Sequence, residues 1–170
     1  MRKRPLIVGV MGGGGVSAQA ADEAYALGAL IAQQGWILLN GGRNVGIMEA
    51  SARGAAEHGG LTVGILPDAD CARAAEHVHV PICTGMGSAR NAINVLSSDV
   101  VVACIGGPGT ISEIALALKH DKPVITLHID VSPVFSAFIA AGRLRCAESP
   151  REVIEMIHAM TGRENCIQPR

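Results

Sequence analysis

Val100-Val101-Val102-Ala103-Cys104-Ile105 runs directly into Gly106-Gly107-Pro108-Gly109-Thr110, and the periodic apolar positions Ile111, Ile114, Ala115 and Leu118 follow. A continuous β-branched run, a glycine-rich turn and a helical repeat read as strand, loop and helix. Such a junction puts free backbone N–H groups and the positive end of a helix dipole at one point, which attracts an anion. In open α/β sheets ligands bind at the carboxyl ends of strands, where this turn would sit. Phosphate or another oxyanion is therefore the first ligand class to expect.

The pattern repeats outward in both directions. Strands are expected at Leu6–Met11, Trp36–Asn40, Leu61–Pro67, His77–Cys83, Asp99–Ile105 and Pro123–His128, with a weak edge strand at Leu144–Ala147. Helices are expected at Ser17–Gln34, Gly46–His58, Ser88–Ser97, Thr110–His120, Val134–Ala141 and Pro150–Met160. Alternation of continuous apolar strands with helices implies an α/β fold: a Rossmann-like three-layer sandwich around a parallel sheet of about seven strands. The last helix carries Ser149 as N-cap, Pro150 at its first position, Glu152 to complete a capping box, and Thr161-Gly162 as its stop. With 170 residues, 49% of them hydrophobic, one domain over residues 1–170 is expected, with 162–170 as a frayed tail.

Composition narrows the function. Net charge is −1, and the one basic cluster is Met1-Arg2-Lys3-Arg4, so the broad basic face of a nucleic-acid binder is missing. Aromatic residues make up 2% of the chain, which leaves few rings on which bases could stack. Five cysteines without a C-x-x-C pair argue against a disulfide framework and a zinc ribbon, and for a reducing compartment. Leu6–Met11 is too short for a signal-peptide core, and no apolar run is long enough to span a membrane. A soluble cytoplasmic protein without membrane or nucleic-acid partners is the expectation.

Four glycine-bearing turns follow strands on the same edge: Gly12–Gly15, Gly41-Gly42-Arg43-Asn44, Gly85-Met86-Gly87-Ser88 and Gly106–Thr110. Any one could be a tight connection, but together they favour a binding edge. The candidate ligand-binding set is Gly12, Gly13, Gly14, Gly41, Gly42, Arg43, Gly87, Ser88, Arg90, Gly106, Gly107, Gly109, Thr110 and Glu113. A nicotinamide dinucleotide site is disfavoured, because Ser17 stands where the last glycine of G-x-G-x-x-G would be and Leu39-Asn40 ends the second strand without an acidic residue. No loop carries a Walker A lysine.

Glu113 has two readings. Thr110-Ile111-Ser112-Glu113 fits a capping box, in which the glutamate only secures the helix start. Alternatively Glu113 is a catalytic carboxylate, with Arg90 projecting over the same edge. His77 and His79 share one face of a probable strand, but no third ligand accompanies them, so no metal site is expected. His128, at a strand's carboxyl end, is the other histidine of interest. Cys104, inside a strand, reads as core.

Gly106-Gly107-Pro108-Gly109-Thr110-Ile111-Ser112-Glu113 resembles the P-G-G-x-G-T-x-x-E signature of the "lonely guy" family, grouped with the DprA-like Rossmann folds. Arg90 stands 23 residues before Glu113, matching that family's arginine and glutamate. Asn40–Glu49 resembles its G-G-x-x-G-L-M region, and Val63-Gly64-Ile65-Leu66-Pro67 its third strand. The resemblance implies hydrolysis of nucleoside 5′-monophosphates to base and ribose 5-phosphate, with Arg90 and Glu113 in catalysis and the glycine loop on phosphate. The chain departs from the signature at Ile105, Asn91 and Met86-Gly87-Ser88-Ala89. These departures and the short length are more similar to the branch of molybdenum cofactor carrier proteins, which bind a pterin phosphate. The leading expectation is thus a carrier of a phosphate-bearing small molecule, the molybdenum cofactor as bound ligand, needing no other cofactor. The alternative is a nucleoside 5′-monophosphate phosphoribohydrolase. A homodimer or homotetramer is implied by the same resemblance.

Overall fold

The computed structural model describes residues 4–162; the expected frayed tail lies outside them beyond Gly162. Seven strands alternate with helices: β1 (Ile7–Met11), α1 (Ala18–Gln33), β2 (Ile37–Asn40), α2 (Gly46–Glu57), β3 (Thr62–Leu66), β4 (Val80–Cys83), α3 (Asn91–Ser97), β5 (Val100–Ala103), α4 (Pro108–Lys119), β6 (Val124–Leu127), α5 (Ser132–Ala140), β7 (Leu144–Ala147) and α6 (Pro150–Thr161). A 3-10 turn over Gly87–Arg90 leads into α3.

All strand pairs are parallel, in the order β4-β3-β2-β1-β5-β6-β7. Strands such as Val100–Ala103 are apolar at every position because both faces of the sheet are covered. One face packs Val8, Val10, Leu38 and Val102 against Leu27 and Ile31 of α1, Ile47 of α2 and Ile157 of α6. The other packs Met11, Leu39, Val101 and Ile125's neighbour Val124 against Val95 of α3 and Ile114 and Leu118 of α4. The three-layer α/β reading is correct. The strand order switches between β1 and β5, so the helices that follow them, α1 and α4, pack on opposite faces of the sheet and leave a crevice above the paired strand ends. That crevice holds the candidate site.

Boundaries differ from expectation in informative places. The strand expected at His77–Cys83 begins only at Val80, because the Thr62 hydroxyl donates to the His77 carbonyl and accepts from the His79 N–H, taking both residues off the ladder. Helix α4 begins at Pro108 with Gly107 as N-cap, two residues before the expected start at Thr110. Proline at the first helical position fits, since its missing N–H needs no partner there. At α6, Ser149 Oγ accepts from the Glu152 N–H, but Glu152 reaches past the cap to accept from the Glu148 N–H at 2.7 Å. Gly162 ends the helix with φ of 63°. Among the described residues no helix is long and apolar enough to cross a membrane.

Candidate functional site

The carboxyl ends of β1 and β5 are stitched together. The Cys104 N–H donates to the Met11 carbonyl at 2.7 Å, the Gly13 N–H to the Ile105 carbonyl at 2.9 Å, and the Ile47 N–H to the Gly13 carbonyl at 3.0 Å. Gly46 makes the last contact possible: its φ is +51°, and a Cβ there would strike the Gly13 and Gly14 backbone. Three loops thus become one rigid rim.

A cleft of about 200 Å³ opens inside it. Of the expected residues, Gly12, Gly13, Gly41, Arg90, Gly107, Gly109, Thr110 and Glu113 line it. At Gly107 a Cβ would meet nothing within 4 Å, and at Gly109 only Asn91 Nδ2 at 3.8 Å, so both backbones face open space. Among the described residues no acceptor meets the Gly107 or Gly109 N–H. These donors at the start of α4 are free for an anionic ligand.

The floor is Arg90 and Glu113. Arg90 ends the 3-10 turn, and Glu113 lies in the second turn of α4, facing inward. Arg90 Nη1 stands 3.9 Å from Glu113 Oε1, with side chains only 11% and 7% exposed. Asn94 of α3, fully buried, donates from Nδ2 to Glu113 Oε1 at 2.9 Å. Burial pushes the Glu113 carboxyl above its ordinary range, opposed by the Asn94 N–H and the Arg90 charge. Burial also lowers Arg90, offset in part by Glu113, although a guanidinium keeps its proton. Arg90 Nε is buried without a partner. Gly41 makes room for this guanidinium, since a Cβ there would approach Nη1 and Nη2 to 2.7 and 2.6 Å.

The capping-box reading of Glu113 is therefore incorrect. Thr110 is the third residue of α4 and not its cap, and the Glu113 carboxyl lies beside Arg90 and Asn94 instead of reaching back to the helix start.

Other expected residues support the rim without lining the cleft. Arg43 is held by Asp68, Nη2 to Oδ1 at 2.8 Å and Nε to Oδ2 at 3.1 Å. Gly42, at φ of 75°, turns the chain after β2, and its N–H donates to Asn40 Oδ1 at 2.8 Å. Gly106 packs against Thr110 and Gly13, Gly14 against Val45, and Gly87 and Ser88 form the exposed start of the 3-10 turn. Sequence reasoning missed Val10, Met11, Met48, Asn91 and Pro108 as lining residues. Met48 had a signal, falling on the methionine of the G-G-x-x-G-L-M match, and Asn91 puts a neutral amide where that family has lysine.

Elsewhere on this edge, His128 has φ of 56° and its Nε2 stands 3.0 Å from Glu23 Oε2, away from the cleft lining. Cys104 is buried, its thiol pushed up to about 12 by that burial, as expected of a core residue. His77 and His79 gain no further ligand: among the described residues no group of three or more His, Cys, Asp or Glu side chains could hold a metal.

The SLOG cluster4 family model matches residues 5–154, and the chain belongs to that family. The molybdenum cofactor binding protein of Rippkaea orientalis is similar at 49% identity and TM-score 0.87, over 93% of this chain and 98% of that one. The molybdenum cofactor carrier protein of Chlamydomonas reinhardtii is similar at 41% identity and TM-score 0.86, over 94% and 100%. Among curated proteins, the cytokinin riboside 5′-monophosphate phosphoribohydrolase of Mycobacterium tuberculosis is 35% identical over 116 residues, 64% of this chain and 62% of that protein.

Proposed function

We propose that this SLOG cluster4 protein is a binding or carrier protein for a phosphate-bearing small molecule, with the molybdenum cofactor as its cargo, acting in the cytoplasm as a homo-oligomer. The observation that carries the reading is the anion cradle at the β1/β5 crevice: the open backbone at Gly107 and Gly109 above the buried Arg90 guanidinium. A buried cation with an unpartnered Nε and one carboxylate at 3.9 Å is incompletely compensated. A phosphate seated between Arg90 and the α4 N-terminus would supply the missing negative charge through charge-assisted hydrogen bonds. The likeness to cofactor-binding proteins over nearly the whole chain supports the choice of cargo.

A second reading is hydrolysis of nucleoside 5′-monophosphates. Its support is the raised Glu113 carboxyl inside the cleft, the environment expected of a general acid or base, together with the partial likeness to a phosphoribohydrolase. Native mass spectrometry of protein purified from a host that makes the molybdenum cofactor tests the first reading. A retained phosphate-bearing ligand, lost in Arg90→Ala, is expected. Protein that emerges empty and takes up neither the cofactor nor AMP would overturn it.

A further inference from the structure

Cys71 lies in the turn after β3, and Cys83 ends β4, the edge strand paired to β3. Their Sγ atoms stand 2.7 Å apart although the residues are 12 positions apart in the chain. Cys71 is exposed and Cys83 half-buried, so a solvent-borne reagent reaches the pair. The other described cysteines do not compete, because Cys104 is closed in the core and Cys146 lies on β7 at the opposite edge of the sheet.

The turn holding Cys71 touches both loops that frame this side of the cleft. Asp68 binds the Arg43 guanidinium. The Asn44 N–H donates to the Arg73 carbonyl and the Ala75 N–H to the Gly42 carbonyl, securing the loop that presents Gly41. The Gly85 N–H donates to the Asp68 carbonyl and the Gly87 N–H to the Pro67 carbonyl, anchoring the turn that ends in Arg90.

We propose that Cys71 and Cys83 are a reversible dithiol–disulfide pair, oxidised by exchange with a low-molecular-weight disulfide, and that the bond stiffens the rim presenting Gly41 and Arg90. Cys71, the more exposed sulfur, attacks as thiolate. The small disulfide's S–S bond breaks, one small thiolate leaves, and a mixed disulfide forms on Cys71. In the reduced protein the Cys83 thiol is pushed up to about 11, first by its hydrogen bond with Cys71 and then by burial, with Asp70 and Asp68 adding to the effect. Capping Cys71 removes the first cause and frees Cys83 to ionise. Its thiolate attacks Cys71 Sγ and expels the second small thiolate. Two electrons pass from the cysteine sulfurs to the small disulfide, and the two protons released end on the two small thiols.

The test is treatment of the full chain with oxidised glutathione, followed by alkylation, digestion and mass spectrometry. A Cys71–Cys83 cross-linked peptide is expected, in protein lighter by the mass of two hydrogens and restored by dithiothreitol. Closing so short a loop should raise Tm by roughly 5–10 °C and slow hydrogen exchange at the Asn44, Ala75, Gly85 and Gly87 amides. In Cys71→Ser neither the cross-link nor the rise in Tm should form. A glutathione adduct that persists on Cys71 of the unaltered chain, or two thiols still open to alkylation after treatment, would overturn the pairing. A cross-link that leaves those four amides unchanged would overturn the stiffening of the rim.

Discussion

Arg90 and Glu113 meet at 3.9 Å, through two side chains almost wholly removed from solvent. The 3-10 turn after β4 delivers one and the second turn of α4 the other, so the pair spans the loops on either side of the cleft. A salt bridge this long gives each charge little hydrogen bonding, and the Arg90 Nε has none. Under the proposed function this guanidinium receives the anion that enters from above. Arg90→Ala should weaken binding of AMP or another phosphate-bearing ligand by roughly 100-fold, the scale for removing one side of a buried charge contact. Arg90→Lys should recover only part, since a point charge cannot reproduce the planar fork. Isothermal titration with AMP measures both, and unchanged affinity in a folded Arg90→Ala would remove Arg90 from the site.

The Glu113 carboxyl gives stability a defined pH dependence. Its folded-state value is raised above the ordinary 4.5, chiefly by burial. The folded chain therefore keeps a proton that the unfolded chain has lost, and the Glu113 contribution is fully present below 4.5 and declines as pH rises through the raised value. Glu113→Gln removes this titration. The Tm difference, variant minus unaltered chain, should grow more positive as pH rises through that window and then level off. Asn94→Ala, which takes away the N–H that opposes the shift, should move the window upward. A Tm difference flat from acid to neutral pH would show that Glu113 titrates normally.

Two glycines on the same rim should respond oppositely. A Cβ at Gly107 meets open space, so Gly107→Val should fold with Tm nearly unchanged yet lose phosphate binding, because the side chain occupies the cleft. Gly46 sits at φ of +51° against the Gly13 and Gly14 carbonyls. Gly46→Ala should cost about 1–3 kcal/mol from backbone strain, with more from the clash, visible as a lower denaturant midpoint. Tight ligand binding by folded Gly107→Val would place the ligand elsewhere.

The fold was legible because its signals are local. The run from Val100 to Ala103 is apolar throughout, which only burial on both faces explains, and Pro150 and Gly162 punctuate the last helix by their own backbone chemistry. The site was legible as an edge but less so in its parts. Arg43 and Arg90 both follow glycine turns in the sequence, yet Asp68 captures Arg43 while Arg90 is buried, and nothing local to either arginine distinguishes them. Glu113 carries two overlapping patterns in the sequence: T-x-x-E mimics a capping box, but α4 starts at Pro108 with Gly107 as its cap, which leaves Glu113 in the second turn among its buried residues. Asn94 and the meeting of Cys71 with Cys83 arise from tertiary packing across 19 and 12 positions, beyond any spacing rule.

The two functional readings part at turnover. Glu113 lies beside Arg90 at the floor of the cleft, where a nucleoside monophosphate held by its phosphate at Gly107 and Gly109 could bring its glycosidic bond near the carboxyl. A carrier uses Glu113 to balance the Arg90 charge when no ligand is bound, and needs no proton transfer from it. Incubation of the purified chain with AMP, followed by chromatography of the products, should return intact AMP under the carrier reading. Under the hydrolase reading free adenine and ribose 5-phosphate appear, and Glu113→Gln slows their release by roughly 100-fold or more, as loss of a general acid or base requires. The glutamine still accepts from Asn94 Nδ2 and keeps the volume of the side chain, so Arg90 stays seated and phosphate affinity persists in that variant. Persistent affinity without adenine release from the unaltered chain is the expected result, and steady release abolished by this one substitution would make the protein an enzyme.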